Sequence, residues 1–186
     1  MSETEKKPKK EKKKNPRRAY LDDFKLQDNG EYAYKGALYV YKGDWQKCKK
    51  QLWSLCAALA VLIVAAGVVP SGGMMNTLYV ILPYVGEFTA AVFFFYAVLR
   101  LTSRDEKIRE YIYVKTFDRF NSYFLFLFIF SVMCLLGEIV HMIFSRPLER
   151  VWFSLVFIVL QVLIFGIVSG LNRHAQAMLF EKVKEK

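Results

Sequence analysis

The sequence predicts an all-α fold, a transmembrane bundle of four spans, from its long apolar runs, their flanking residues and a biased distribution of basic residues. Apolar residues make up 54% of the 186 positions, yet charged residues still reach 24%. The two kinds are segregated, since residues 51–86, 88–99, 120–137 and 151–172 contain no Asp, Glu, Lys or Arg. A soluble core has no use for such runs, so the composition argues against a compact water-soluble enzyme.

Four segments within residues 51–172 are long enough to cross a membrane as helices. A bilayer core of about 30 Å requires about 20 apolar residues in a helix. The connections after the first and third spans are very short, so two antiparallel hairpins are expected. The Phe-rich runs at 93–95 and 124–130 are expected to face lipid. The predicted spans, each flanked by turn-forming or charged residues, cover about 52–69, 77–99, 120–144 and 151–171.

The basic residues that flank the spans predict the orientation of the chain. On the side of the N-terminus, residues 31–50, 100–119 and 173–186 together contain fifteen Lys and Arg. The opposite side contains two, Arg146 and Arg150. Because cytoplasmic flanks carry an excess of Lys and Arg, we expect a multi-pass protein of the cell membrane with both termini in the cytoplasm.

Residues 1–18 form a basic tail, with nine Lys and Arg against three Glu. The tail has almost no apolar side chains to bury, so we expect it to be disordered. Because membrane spans follow, the expected partner is anionic lipid head groups rather than nucleic acid, at about 1 kcal/mol per basic residue. The alternative is a solvated tail that only fixes orientation. The residues predicted to contact head groups are Lys6, Lys7, Lys9, Lys10, Lys12, Lys13, Lys14, Arg17 and Arg18.

Three further segments are predicted to lie on the cytoplasmic side and to offer the surface for a protein partner. Within residues 19–50, the aromatic residues of 31–41 alternate at period two, which favours a small Tyr-rich hairpin. Residues 103–115 alternate in charge and carry apolar residues at helical spacing, which predicts a surface helix on the inner leaflet. The third segment is C-terminal, residues 173–186.

Two carboxyl groups are predicted inside the spans, where lipid penalises charge. Glu87 lies near the middle of the second span, and Gln161 of the fourth span lies at about the same depth. A charge at mid-bilayer costs at least about 2.5–3.5 kcal/mol on insertion scales, so such residues usually face protein or water. We therefore expect an interior polar cluster. Its members from one face of the third span are Ser131, Cys134, Glu138 and His141.

The sequence also predicts how the helices pack. Pro83 predicts a kink in the second span, because proline removes a backbone donor. Gly166 and Gly170 in the fourth span and Ala58 and Ala65 in the first could let backbones approach closely. Such contacts could form inside the bundle or in a homo-oligomer, and the internal contacts are favoured.

Three interpretations of the polar cluster are open. Glu87 and Glu138 could be the ion- or proton-carrying carboxyl groups of a small transporter. Glu138 and His141, at i and i+3, could help to bind a metal ion, although a single such pair is a weak signal. All of these residues could instead be hydrogen-bonded packing elements. The complete predicted pathway is Glu87, Glu138, His141, Gln161, Cys134 and Ser131.

The motifs of most enzymes are missing from the sequence, and no cofactor is predicted. There is no Gly-rich phosphate loop, no GxSxG and no HExxH, and the three cysteines have no paired spacing. His141 and His174 are predicted on opposite membrane faces, which argues against haem held by two histidines. The first hypothesis is therefore a non-enzymatic accessory, assembly or scaffold subunit. The alternative is a small oligomeric transporter or channel component that uses Glu87 and Glu138.

Overall fold

The computed structural model is mostly helical. It describes residues 24–26, 30, 32–34, 36–103, 107–144 and 151–184. The predicted basic tail, residues 1–18, lies outside the described residues, as do Arg146 and Arg150.

Four helices are long and apolar enough to cross a membrane, in agreement with the number predicted. They are α1 (Trp45–Val68), α3 (Leu78–Thr102), α5 (Phe120–Phe144) and α6 (Val151–Gln176), and the two short helices are α2 (Gly72–Asn76) and α4 (Glu110–Thr116). Helix α1 begins earlier than the predicted span because Asp44 caps it, accepting a hydrogen bond from the Lys47 backbone N–H at 3.1 Å. That bond holds the pKa of the Asp44 carboxyl below its usual range.

The long helices form a bundle in which α3 packs on α5, α5 on α6 and α6 on α1. Helices α1 and α3 meet less extensively, along a seam. The interior is apolar, and Leu59, Phe94, Leu127 and Phe157, one from each long helix, are 0% exposed. The exterior is apolar too, and Trp152 on α6 is 80% exposed. Water is a poor solvent for such an exterior, whereas lipid hydrocarbon is a good one.

The prediction that the Phe-rich runs face lipid is wrong for part of each run, because some of the rings lie inside the bundle. Phe93 and Phe126 are exposed, but Phe94 and Phe124 are buried. The rings of these two buried residues lie 5.1 Å apart, and Phe120 packs against both. Three consecutive residues of a helix cover about 200° of its circumference, so a run of aromatic residues reaches both the surface and the interior.

Three short strands from distant parts of the chain form one antiparallel sheet. The central strand is β3 (Ala37–Tyr41), which pairs with β4 (Lys107–Arg109) on one side and β5 (Phe180–Lys184) on the other. Strand β3 precedes α1, β4 lies between α3 and α4, and β5 follows α6. They therefore lie at one end of the bundle, which we call the sheet end. Helix α2, which connects α1 to α3, marks the opposite α2 end.

The structure corrects the predictions for the residues around this sheet. The Tyr-rich hairpin within 31–41 is wrong, because β2 (Tyr32–Tyr34) pairs with β1 (Phe24–Leu26) and β3 pairs with β4 and β5. The surface helix of residues 103–115 is shorter than predicted, since residues 107–109 form β4 and α4 begins at Glu110. The burial of residues 107–109 alternates as in a strand, because Ile108 is 1% exposed and its two charged neighbours are more exposed.

Aromatic packing joins the sheet to the helices. The Phe180 ring lies 5.0–6.1 Å, centroid to centroid, from the rings of Tyr41, Trp45, Tyr113 and Phe117. Aromatic pairs at such separations contribute about 0.5–1.5 kcal/mol each beyond the area they bury. One ring of β5 thus holds strand β3 and helices α1 and α4 together.

Ion pairs on the sheet contribute less stabilisation than the aromatic packing does. Lys42 pairs with Glu181 at 3.4 Å, and Lys182 donates to Glu110, with all four side chains at least one third exposed. The bond to Glu110 raises the pKa of the Lys182 ammonium. Solvent-exposed pairs of this kind contribute about 0–1 kcal/mol, so the aromatic cluster is the stronger fastening.

Replacing Phe180 by Ala should release β5 while leaving the four long helices folded. The variant loses all four ring contacts, although the cost should stay below the about 3–5 kcal/mol typical of a fully buried Phe because Phe180 is only partly buried. Amide hydrogen exchange should speed up in 180–184 and in 37–41, its pairing partner. Leu179→Ala is the matched control, since Leu179 is 64% exposed and should change neither. Equal exchange in both variants would contradict the role given to the Phe180 ring.

Candidate functional site

Three polar side chains on three different helices form a hydrogen-bonded chain inside the bundle. The Ser131 hydroxyl of α5 donates to Gln161 Oε1 at 3.1 Å, and Gln161 Nε2 of α6 donates to Glu87 Oε2 of α3 at 3.1 Å. Glu87 and Gln161 are 0% exposed and Ser131 is 1% exposed. We call these residues the central cluster. The depth match predicted between Glu87 and Gln161 therefore corresponds to direct contact.

The central cluster leaves one carboxyl oxygen unused. Within the described residues, Glu87 Oε1 has no hydrogen-bond partner. Glu87 Oε2 accepts from an uncharged amide, and no basic side chain of the described residues forms an ion pair with Glu87. Burying a carboxyl group without a basic partner is costly, and the Gln161 amide is the hydrogen-bond donor that the described structure supplies to it.

The outer carboxyl group, Glu138, lies in a different arrangement. Ser71, just before α2, donates its hydroxyl to Glu138 Oε2 at 3.1 Å, and the Gly73 backbone N–H donates to Oε1 at 3.3 Å. Ser71 is also the N-cap of α2, because its Oγ accepts from the Met74 backbone N–H at 3.3 Å. Glu138 is 0% exposed. The carboxyl group thus anchors the connection between α1 and α3 to α5.

The glycines of this connection allow the close approach. A Cβ atom on Gly73 would lie 2.2 Å from Glu138 Oε2. A Cβ atom on Gly72 would lie 2.7 Å from His141 Nε2, and the Gly72 backbone N–H donates to Ser154 Oγ of α6 at 3.3 Å. Both distances are shorter than a Cβ atom tolerates, so a side chain at either position would have to displace Glu138 or His141. We call Ser71, Gly73 and Glu138, with their neighbours Gly72 and His141, the outer cluster.

The two clusters are separate along α5. Ser131 and Glu138 are seven positions apart, which corresponds to about 10 Å along a helix axis. Cys134 lies between them on the same face and is 0% exposed. His141 is half-buried, and its Nδ1 lies 3.4 Å from the Tyr79 hydroxyl. The described structure therefore contains two hydrogen-bonded groups, with one buried thiol at a position between them on α5.

Glycine also brings α3 and α5 together beside Pro83. Helix α3 continues through Pro83, which is buried. Proline cannot donate to the carbonyl four residues earlier, so the Tyr79 carbonyl loses its helical partner. A Cβ atom on Gly137 would lie 3.1 Å from that oxygen, so the α5 backbone passes directly beside it. The predicted kink at Pro83 stays a prediction, because a continuous helix is compatible with either geometry.

The residues predicted to mediate close packing have other surroundings. Nothing lies within 4 Å of a Cβ atom built on Gly166 or Gly170, so the internal contact favoured for this pair is wrong. Both glycines lie on the outer side of α6 because the inner side carries Gln161 and Val168. Ala58 and Ala65 are half-buried on α1.

Among the described residues, the structure places no third metal ligand beside Glu138 and His141. Within the described residues, no group of three or more His, Cys, Asp and Glu side chains is placed to hold a metal ion. Both oxygens of Glu138 already accept hydrogen bonds, from Ser71 and from Gly73. The Glu138–His141 pair is part of the outer cluster in this structure.

Sequence reasoning missed the residues that hold the outer cluster. The sequence pattern does not predict that Ser71 and Gly73 donate to Glu138, nor that the Tyr84 hydroxyl donates to the Ile63 carbonyl at 2.9 Å. A serine followed by a short apolar stretch is typical of a helix N-cap and was the available signal for α2. No sequence pattern pairs that cap with a carboxyl group 67 positions away.

Comparisons of the chain with protein-family models, with curated proteins and with solved structures find no match. The functional interpretation therefore depends on the contacts described above.

Gly73→Ala should destabilise the bundle through the outer cluster. The added methyl group would force Glu138 or Val80 to move, at a typical cost of about 1–3 kcal/mol. Gly166→Ala is the matched control, because open space surrounds Gly166 and alanine favours a helix by up to about 1 kcal/mol. The measurement is the free energy of unfolding in mixed micelles. Equal stability of the two variants would show that the outer cluster does not fix α2.

The central cluster should behave as a coupled unit. Gln161→Leu removes the amide that donates to Glu87 and leaves the Ser131 hydroxyl only the backbone carbonyl of residue 161, at 3.4 Å. The variant should cost about 1–3 kcal/mol of unfolding free energy. Combining it with Glu87→Leu should cost less than the sum of the single variants, by about 1 kcal/mol. Thr89→Val is the control on α3, since among the described residues the Thr89 hydroxyl bonds to the Val85 carbonyl of its own helix and to no other helix. Additive costs in the same unfolding assay would contradict a hydrogen bond of energetic consequence.

Proposed function

We propose that the chain is a non-enzymatic accessory or assembly subunit of the membrane that anchors protein partners at its sheet end. In this proposal the sheet end faces the cytoplasm, as the fifteen Lys and Arg of the flanking segments favour. The observation that carries the proposal is the sheet itself. Three segments from distant parts of the chain, 37–41, 107–109 and 180–184, converge to build it.

The two ends of the bundle differ in what they offer a partner. The sheet end carries two small sheets, an aromatic cluster and exposed charged side chains, among them Lys47 and Asp118. At the α2 end, the described connection is a five-residue helix that lies against α5 and α6. The strands β4 and β5 are the edges of their sheet, and edge strands are a recurrent docking surface for extended peptides.

The interior polar groups support a structural role within this proposal. Glu138 accepts bonds from Ser71 and Gly73, and Glu87 accepts a bond from Gln161. Each of these bonds connects separate elements of the bundle. Buried polar side chains used in this way specify which helices meet and in which register.

A second candidate function is a small oligomeric transporter or channel component. The observation that favours it is Glu87 Oε1, a buried carboxyl oxygen without a hydrogen-bond partner within the described residues. A carboxyl group in such surroundings can exchange a proton when the bundle opens. Four helices enclose little space, so this function would require several copies.

Photo-crosslinking in native membranes tests the first proposal. A photoreactive amino acid placed at exposed positions Lys47, Asp118 or Val183 should give adducts with partner proteins. The matched positions at the α2 end, Met75 and Asn76, are also exposed and should give none. Adducts confined to Met75 and Asn76 would overturn the proposal.

The conservative variant Glu87→Gln separates the two candidates. Glutamine can still accept from Gln161, so an accessory subunit should retain its crosslinks and its cellular role. A transporter should lose its pH-gradient-driven flux in liposomes, because an amide cannot release a proton. Wild-type flux that disappears in Glu87→Gln, with normal abundance and assembly, would favour the second candidate.

A further inference from the structure

A cationic cavity of about 420 Å³ lies at the sheet end, where the β1–β2 pair meets the junction of α3 and α4. Arg100, in the last turn of α3, and Arg109, the last residue of β4, both line it. None of the described lining residues is acidic. Within the described residues, neither arginine forms an ion pair with a carboxylate. The cavity therefore concentrates positive charge.

Aromatic rings orient both guanidinium groups. The Arg109 guanidinium carbon lies 5.4 Å from the centroid of the Phe24 ring and 5.2 Å from that of Tyr34. The Arg100 guanidinium carbon lies 5.6 Å from the Tyr111 ring centroid. A cation–π contact uses the positive charge of a guanidinium, and the five N–H donors of the group exceed what one ring contact can engage. Two guanidinium groups held in this way suit an anionic oxygen cluster such as a phosphate.

A second cavity lies next to the first, on the apolar part of the bundle. It has a volume of about 300 Å³ and follows the seam between α1 and α3. Trp53, Ala60 and Phe95 are among its lining residues, and it shares Tyr96 and Leu99 with the cationic cavity. Its lining is almost entirely apolar. The two cavities together combine a cationic end with an apolar groove.

We propose that this composite cavity binds one anionic phospholipid. The phosphate lies against Arg100 and Arg109, and an acyl chain lies in the groove between α1 and α3. A soluble anion would use only the cationic cavity, and an uncharged lipid would use only the groove. An anionic phospholipid carries both a charged head group and acyl chains, so it can occupy the cationic cavity and the groove together. This site consists of folded residues and is separate from the basic tail of residues 1–18.

Quenching of Trp53 fluorescence by brominated lipid tests the proposal, because Trp53 lines the groove. The full chain is reconstituted in phosphatidylcholine vesicles with phosphatidylglycerol as the minor lipid, and either lipid carries brominated chains. A matched Trp53→Phe variant supplies the background of Trp45 and Trp152. Brominated phosphatidylglycerol should quench wild-type Trp53 at a lower mole fraction than brominated phosphatidylcholine does. Equal quenching by the two lipids would overturn the proposal.

Two charge variants and one control assign the preference to the cavity. Arg100→Gln and Arg109→Gln should each weaken the preference for phosphatidylglycerol about fivefold, the ratio that about 1 kcal/mol per basic residue gives. Arg119→Gln removes the same charge from an exposed residue outside the cavity lining and should keep the wild-type preference. Far-UV circular dichroism checks that each variant is folded. A wild-type preference in the Arg100→Gln/Arg109→Gln double variant would assign lipid binding to the basic tail and overturn the proposal.

The acyl-chain part has its own test. Ala60→Leu fills the groove while both arginines stay in place, so it should also weaken the preference for phosphatidylglycerol. Excess inorganic phosphate should leave quenching of the wild type unchanged, because phosphate lacks the acyl chain. If phosphate abolishes the preference and Ala60→Leu does not alter it, the cavity is a site for soluble anions and the proposal is wrong.

Discussion

Within the described residues, Gln161 connects three of the four long helices through hydrogen bonds of its own side chain. This arrangement follows from the apolar surroundings of the helices, which offer no hydrogen-bond partners to a polar side chain. The outer surfaces of α3, α5 and α6 are covered by large apolar side chains, so a polar group on these helices finds partners only inside the bundle. An amide both donates and accepts, which lets one residue satisfy an acid on one neighbour and a hydroxyl on the other.

The same constraint explains the shape of the α2 end. Glu138 could be satisfied by water only if the bundle were open there. Instead the chain folds inward after α1, and Ser71 and Gly73 supply the donors that water would otherwise provide. Two glycines in sequence make this approach sterically feasible. A short connection therefore acts as part of the core, and its composition is restricted as strongly as that of a core helix.

The sequence alone predicts the four long helices because the signal for each extends over some twenty residues and comes from a single property, apolarity. It also predicts that Glu87 and Gln161 share a depth, since depth follows from counting along a helix. It does not predict that β3 pairs with β4 and β5. Strands of three to five residues give little periodic signal, and these pairings join residues far apart in the chain, Leu38 with Arg109 and Leu38 with Val183.

The contacts of the glycines are also not predicted by the sequence. The pattern Gly166-x-x-x-Gly170 identifies a smooth helix face but not the direction in which that face points, and in this bundle it points outward. Conversely, Gly137 occurs in no recognised small-residue pattern, yet it lies beside the Tyr79 carbonyl. Which glycine contacts a neighbour depends on the rotation of each helix about its axis, and the spacing of small residues along one helix does not determine that rotation.

The position of β5 in the chain has a consequence for biosynthesis. Strand β3 is translated before any of the long helices, whereas β5 follows all four of them. The middle strand of the sheet must therefore wait, with one hydrogen-bonding edge unpaired, until the ribosome has released the final helix. Pairings between such distant segments are slow to form, so the sheet end is the last part of the molecule to mature. Any partner that requires a finished sheet is thereby restricted to fully translated, fully inserted copies.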